Sequence, residues 1–83
     1  MSPPTQYILL AERHWRIWSP RRVAELERQG RLMTKLCEAA ERTVRDTAQL
    51  QQHFLQQGLT PNQAAQRAWQ IARERYLFLP PEE

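Results

Sequence analysis

The sequence predicts an all-α fold: a small helical bundle built on an antiparallel hairpin of a long third helix and a fourth helix, preceded by one or two shorter helices. The 83 residues contain only two glycines, while Gln, Arg, Ala, Leu and Glu, which favour helices, are abundant. Apolar residues recur at the helical period in long segments. The breaks between these segments carry residues that cap helices, so both the number and the type of elements can be predicted.

The first two helices are predicted over residues 6–17 and 20–29. Ser19 is a typical N-cap residue, and Pro20 is a typical first residue of a helix because its fixed φ suits that position. Gly30 is typical of a helix end. At 100° per residue, five side chains are expected on one side of the first helix: Tyr7, Ala11, His14, Trp15 and Trp18.

The third helix, predicted over residues 31–57, is the central scaffold. Its polar side carries acid-before-base pairs four residues apart, such as Glu38 with Arg42, which support a helix. Its apolar residues lie within one arc of the helical wheel, which predicts a buried face. The residues expected on that face are Met33, Leu36, Cys37, Ala40, Val44, Thr47, Ala48, Phe54 and Leu55.

The fourth helix is predicted over residues 61–76. Thr60 and Gln63 have the spacing of a capping box, and Gly58 provides the preceding helix end. A stripe of small residues would allow this helix to approach the third helix closely. The stripe consists of Ala64, Ala65, Ala68 and Ala72.

Two similar apolar tetrads, residues 7–10 and 76–79, leave an alternative open, because short apolar runs suit both helices and strands. Either could be extended, and two such segments could pair within one molecule or between molecules. We expect instead that 7–10 is helical and that 77–79 is an extended tail over the core. The predicted organisation is a single helical domain over 6–79, with a disordered N-terminus at 1–5 and a tail at 80–83.

Composition restricts the class of protein. Cys37 is the only cysteine, which fits the reducing cytoplasm and argues against a disulfide-stabilised secreted domain. No apolar run approaches the roughly 18 residues of a membrane span, and the first residues lack the features of a signal peptide. The sequence therefore predicts a cytoplasmic protein that makes no membrane contact.

A basic segment from Arg13 to Arg22 is the most unusual feature of the chain. The net charge is +3, but residues 1–35 contain seven Arg or Lys against three Glu, which places the whole excess in the first half. Arginine and tryptophan both dominate binding surfaces, since one offers a planar charged fork and the other a large flat ring. The predicted partner-binding residues are Arg13, Trp15, Arg16, Trp18, Arg21 and Arg22.

Two classes of partner fit this segment. The sequence favours a protein partner, with the chain as an adaptor, regulator, inhibitor or small subunit, because aromatic and aliphatic residues exceed what a thin bundle can bury. Self-association into a homo-oligomer is part of this hypothesis. The alternative is nucleic acid, with phosphate contacts and tryptophan stacking. Its further contacts would be Arg28, Arg31 and Lys35.

Catalytic chemistry is not expected. Cys37, His14 and His53 show no paired metal-ligand spacing, and a cysteine within an apolar stripe usually acts as a small hydrophobic residue. Isolated glycines cannot form a phosphate loop. We therefore expect no enzyme activity, metal, cofactor or small-molecule substrate. His14 is expected to be a neutral core histidine, with a partner contact or a pH-sensitive joint as the alternative.

Overall fold

The computed structural model describes residues 5–78, and within this range the chain forms four helices and no strand. This confirms the all-α class, and the predicted helix boundaries are correct to within one residue. Helices 3 and 4 form the predicted antiparallel hairpin, and helices 1 and 2 pack near its open end. The four helices are α1 (Thr5–Trp18), α2 (Pro20–Arg28), α3 (Leu32–Gln56) and α4 (Pro61–Tyr76).

The helix breaks occur where the capping residues predicted them. Gly30 and Gly58 have φ angles of 70° and 98°, in the left-handed region that only glycine adopts easily. Thr60 and Gln63 form both bonds of the capping box, at 3.1 and 3.2 Å. Ser19 occupies the N-cap position before Pro20, but its side chain forms no capping bond. Two of the three turns are therefore specified by glycine, and the third by Ser19-Pro20.

Alanine packing holds α3 against α4. Ala64, Ala68 and Ala72 are fully buried, as are Leu36 and Ala40 on α3. Side chains this small let two helix backbones approach closely. The predicted alanine stripe on α4 is thus the contact that forms the hairpin, except that Ala65 is only partly buried.

The prediction for the buried face of α3 was wrong at one edge. Met33 is 61% exposed and Val44 is 43% exposed, and Ala48 is also exposed. The buried face instead extends to Ala39 and Thr43 on the other side. The apolar residues of α3 occupy a wider arc of the helix surface than α1 and α4 together cover. Hydrophobic periodicity alone does not show which part of that arc the neighbouring helices bury.

Burial of Trp15 attaches α1 to the hairpin. Its side chain is 5% exposed and packs in a core with Ala11, Val23, Leu36 and Leu77. The indole Nε1 donates a hydrogen bond of 3.0 Å to the carbonyl oxygen of Leu77. Because Leu77 lies just past the end of α4, this bond fixes α1 relative to the end of the hairpin.

The two apolar tetrads have different structures. Residues 7–10 lie within α1, as expected. The extended conformation expected after α4 is wrong at Leu77, whose φ of −89° and ψ of −45° are right-handed helical, and the backbone N–H of Phe78 still donates to the Arg73 carbonyl at 2.7 Å. Leu79 lies outside the described residues, as does the tail predicted at 80–83. Of the N-terminus predicted as disordered, only Thr5 is described, and it is the first residue of α1.

A polar contact connects the middle of α3 to the end of α4. The Tyr76 hydroxyl donates a 2.7 Å hydrogen bond to Asp46, and Arg75 lies 3.4 Å from the same carboxylate. The hydrogen bond to Asp46, followed by burial of the ring, raises the pKa of Tyr76 above its ordinary value. The fold therefore favours the protonated phenol.

Replacing Trp15 with phenylalanine should lower the free energy of unfolding by about 2–3 kcal/mol. The change leaves the buried Leu77 carbonyl without its hydrogen bond and creates a small cavity. Urea unfolding followed by circular dichroism measures the effect. The matched control is Trp18→Phe, which should change stability by less than about 0.5 kcal/mol because Trp18 is exposed. Equal losses in the two variants would show that the Trp15 contact is not a main support of the fold.

Stability should also fall in alkali because of Tyr76. A raised pKa in the folded protein means that its stabilising effect is complete below about pH 10 and is lost as the pH rises through the folded-state pKa. Urea unfolding at stepped pH should show a smaller alkaline loss for Tyr76→Phe than for the wild type. Asp46→Asn should move the ultraviolet titration of this phenol toward its ordinary range. An identical alkaline slope in the wild type and Tyr76→Phe would contradict the assignment.

Candidate functional site

The outward face of α1 carries an apolar stripe interrupted by a cation. Leu9, Arg13 and Ile17 are spaced by four residues, so their side chains follow one line along the helix. Leu9 is 58% exposed and Ile17 is 65% exposed, and Arg13 is also exposed. We call these three residues the α1 stripe. Arginine is enriched at binding hot spots, and the two exposed aliphatic side chains beside it add apolar area to this surface.

An open groove of about 590 Å³ lies beside the α1 stripe. Arg13 lies in its wall, and Trp69 of α4 forms the opposite side. The volume is within the range of about 300–1,000 Å³ of cavities that hold small ligands or parts of peptides. The residues around the groove are Gln6, Tyr7, Leu9, Leu10, Arg13 and Trp69.

Stacked rings hold the groove wall in place. The ring of Tyr7 stacks on that of Trp69, with centroids 4.9 Å apart and planes inclined by 22°. The guanidinium carbon of Arg73 lies 6.0 Å from the Trp69 ring and 5.7 Å from the Phe78 ring. Ring stacking and cation–π contacts of this kind each contribute roughly 0.5–2 kcal/mol. They hold the part of the groove between α1 and α4 in a defined shape.

Arg73 is held in this stack mainly by the rings. Its buried Nε has no hydrogen-bond partner among the described residues. The two aromatic faces provide electrostatic attraction that offsets part of the cost of burying the group.

His14 lies at the other end of the same aromatic series. Its ring is 5.0 Å from that of Phe78 and 6.0 Å from that of Trp18, measured between centroids. The side chain is half-buried, which agrees with neither a fully enclosed core histidine nor a freely exposed one. Because it lies between these two rings, the His14 side chain fills space between α1 and the segment that follows α4.

Neighbouring carboxylates neutralise several cations of the basic segment. Arg16 donates hydrogen bonds to Glu12 at 3.2 Å and to Glu27 at 3.1 Å, and these bonds raise its pKa. Arg28 donates to Glu25 at 2.6 Å, which lowers the pKa of that carboxyl. These pairs are exposed and each contributes little to stability. They do reduce the positive potential that the sequence suggested for residues 13–35.

The structure divides the predicted site residues into separate groups. Trp15 is buried in the core, so it is not available to a partner, and it is removed from the candidate surface. Trp18 is 48% exposed. Arg13, Arg21 and Arg22 are exposed as well, whereas Arg16 is exposed but ion-paired. Of the further cations proposed for nucleic acid, Arg28 and Lys35 pair with Glu25 and Glu38, and Arg31 occupies the N-cap position of α3.

Sequence reasoning missed the aliphatic part of this surface. Leu9 and Ile17 are absent from the predicted partner-binding residues, although their spacing of four residues on each side of Arg13 is visible in the sequence. The signal was obscured because the apolar residues of α1 occur on most of its circumference. Trp69 could not have been identified as a groove residue, since its position opposite Tyr7 depends on the tertiary packing.

The described residues contain no cluster that could bind a metal and no membrane-crossing helix. Within residues 5–78, no three His, Cys, Asp or Glu side chains come together in a way that would hold a metal ion. No helix in that range combines the length and the apolar character needed to cross a membrane.

Comparison with known proteins adds nothing to the interpretation of the α1 stripe and the groove. No protein-family model, curated protein or solved structure matches the chain.

Proposed function

We propose that this chain is a non-enzymatic protein-binding module that acts as an adaptor or regulator through α1. The single observation that supports this most directly is the α1 stripe, Leu9, Arg13 and Ile17, exposed beside a 590 Å³ groove. Exposing two large aliphatic side chains in one line is unfavourable in water, and a bound partner would remove that cost.

The charge pattern indicates the chemistry of the partner. Within residues 5–78, Arg13 forms no ion pair, although Arg16 three residues later forms two. An exposed arginine between aliphatic residues is suited to a carboxylate, which it can bind through two hydrogen bonds. The partner that fits is an amphipathic segment with an acidic residue between two large apolar residues, one of which enters the groove.

Nucleic acid is the second candidate, and one observation favours it. Trp18 is half-exposed and lies three residues before Arg21, so a ring for stacking and a cation for phosphate occur together. The ion pairs of Arg16, Arg28 and Lys35 count against a continuous phosphate-binding track. Phosphate contacts of this type would be strongly weakened by salt.

Selection from a library of displayed random peptides tests the protein-binding proposal. We expect the immobilised wild-type chain to enrich peptides in which an acidic residue is flanked by large apolar residues. Arg13→Glu should lose these peptides and select basic ones, whereas Leu9→Ser should weaken binding at least about tenfold through loss of apolar burial. Arg67→Glu, a charge reversal at an exposed position of α4, is the matched control and should behave like the wild type.

The same proteins should be titrated with single-stranded and duplex DNA and RNA, following tryptophan fluorescence at about 50 and 200 mM salt. The proposal predicts no salt-resistant response to any nucleic acid. Failure to enrich peptides, or an identical peptide consensus for the wild type and Arg13→Glu, would refute it. Tight nucleic-acid binding that Trp18→Ala abolishes would replace it with the second candidate.

A further inference from the structure

One side of α3 carries apolar residues that the other helices cover only in part. It is formed by Met33, Cys37, Val44, Ala48 and Leu55, which we call the α3 flank. Their spacings of four and seven residues place them on one line of the helix, in the pattern by which helices pair. Met33 and Val44 are largely exposed, Ala48 is exposed, and Cys37 and Leu55 are half-buried.

The α3 flank faces away from α1. Trp15 of α1 lines a cavity together with Lys35 and Ala39 of α3, and Tyr76 of α4 lines the same cavity. On the helical wheel of α3, Lys35 and Ala39 lie on the opposite side from Val44 and Ala48. The surface of the α1 stripe and the α3 flank therefore belong to different sides of the hairpin.

We infer that the α3 flank is an interface between two copies of this chain, with the two α3 helices antiparallel around a twofold axis at Val44. Because α3 spans Leu32–Gln56, Val44 is its middle residue. Antiparallel alignment then places Val44 against the partner's Val44 and Met33 against the partner's Leu55. Every large apolar residue of the flank meets an apolar residue, which is the self-complementarity that a twofold interface requires.

Charge supports the antiparallel direction. Glu41 and Arg45 are exposed along one edge of the flank, and neither takes part in the ion pairs found within residues 5–78. In the antiparallel arrangement Glu41 lies about 3 Å along the axis from the partner's Arg45, since each residue advances 1.5 Å. The pair occurs twice by symmetry. A parallel twofold arrangement would place this edge of the two helices on opposite sides of the interface, so Glu41 would not meet the partner's Arg45.

The composition of the core supplies the reason for self-association. Six of the ten buried apolar residues within 5–78 are alanine, so each chain alone buries few large side chains. A domain of this size has little stability in reserve. In a symmetric dimer, burial of the α3 flank would add Met33 and Val44 to the apolar core. The two α3–α4 hairpins would then form a four-helix arrangement.

Sedimentation equilibrium over an approximately hundred-fold concentration range tests the interface. The wild-type chain should form a species of about 20 kDa, twice its mass of 9.9 kDa. Val44→Glu should be monomeric, because it would place two carboxylates together on the twofold axis. Gln49→Glu adds the same charge at an exposed position of α3 off the flank and should remain dimeric. A monomeric wild type, or a dimeric Val44→Glu, would overturn the inference.

Disulfide formation tests the register independently of stability. In a Cys37→Ala background, Val44→Cys should form a cross-linked dimer under mild oxidation, because the two positions meet on the axis. The wild type should not cross-link through Cys37. Each Cys37 lies seven residues from the axis, so the two would be about 21 Å apart. Cross-linking through Cys37 without cross-linking at position 44 would overturn the antiparallel register. Both results are independent of peptide binding by α1.

Discussion

The burial of Trp15 is the constraint on which the rest of the structure depends. Within residues 5–78 Trp15 is the largest buried side chain, and it packs where α1 and α2 meet the hairpin, against Val23, Leu36 and Leu77. The bond from its indole nitrogen to the Leu77 carbonyl also fixes the rotation of α1. With Ala11 and Trp15 turned inward, Leu9, Arg13 and Ile17 must turn outward, because helix geometry links the two faces.

The stacked rings add a second constraint on the same helix. Tyr7 contacts Trp69 and His14 contacts Phe78, so α1 is attached to α4 and the segment after it at two points separated by seven residues. Because the two contacts are two helical turns apart, together they oppose both sliding of α1 along the hairpin and rotation of α1 about its own axis. A surface fixed in this way loses less conformational entropy on binding, which favours affinity. The candidate surface therefore depends on the core as much as on its own residues.

The sequence was sufficient for the fold class and the helix boundaries because glycine, proline and capping residues act locally. It was insufficient for the buried face of α3, where Met33 and Val44 are as apolar as the residues that became buried. The sequence also led to the wrong assignment of Trp15 to the binding surface. A tryptophan next to arginines looks the same in a sequence whether its side chain lies in a core or on a binding surface. Distinguishing the two requires knowing that Leu77 lies opposite, a contact between residues far apart in the chain.

If the chain dimerises through the α3 flank, the dimer also determines how far apart the two α1 stripes lie. A twofold axis at Val44 relates two α1 stripes as well as two α3 helices. α1 packs near Leu36 and Ala39, some five to eight residues from the axis, so the two stripes would be separated by roughly 20 Å along α3. A partner with two matching segments could then bind both stripes at once, and its overall affinity would exceed that for one stripe. Dimerisation would thus stabilise a thin core and also double the surface proposed for binding.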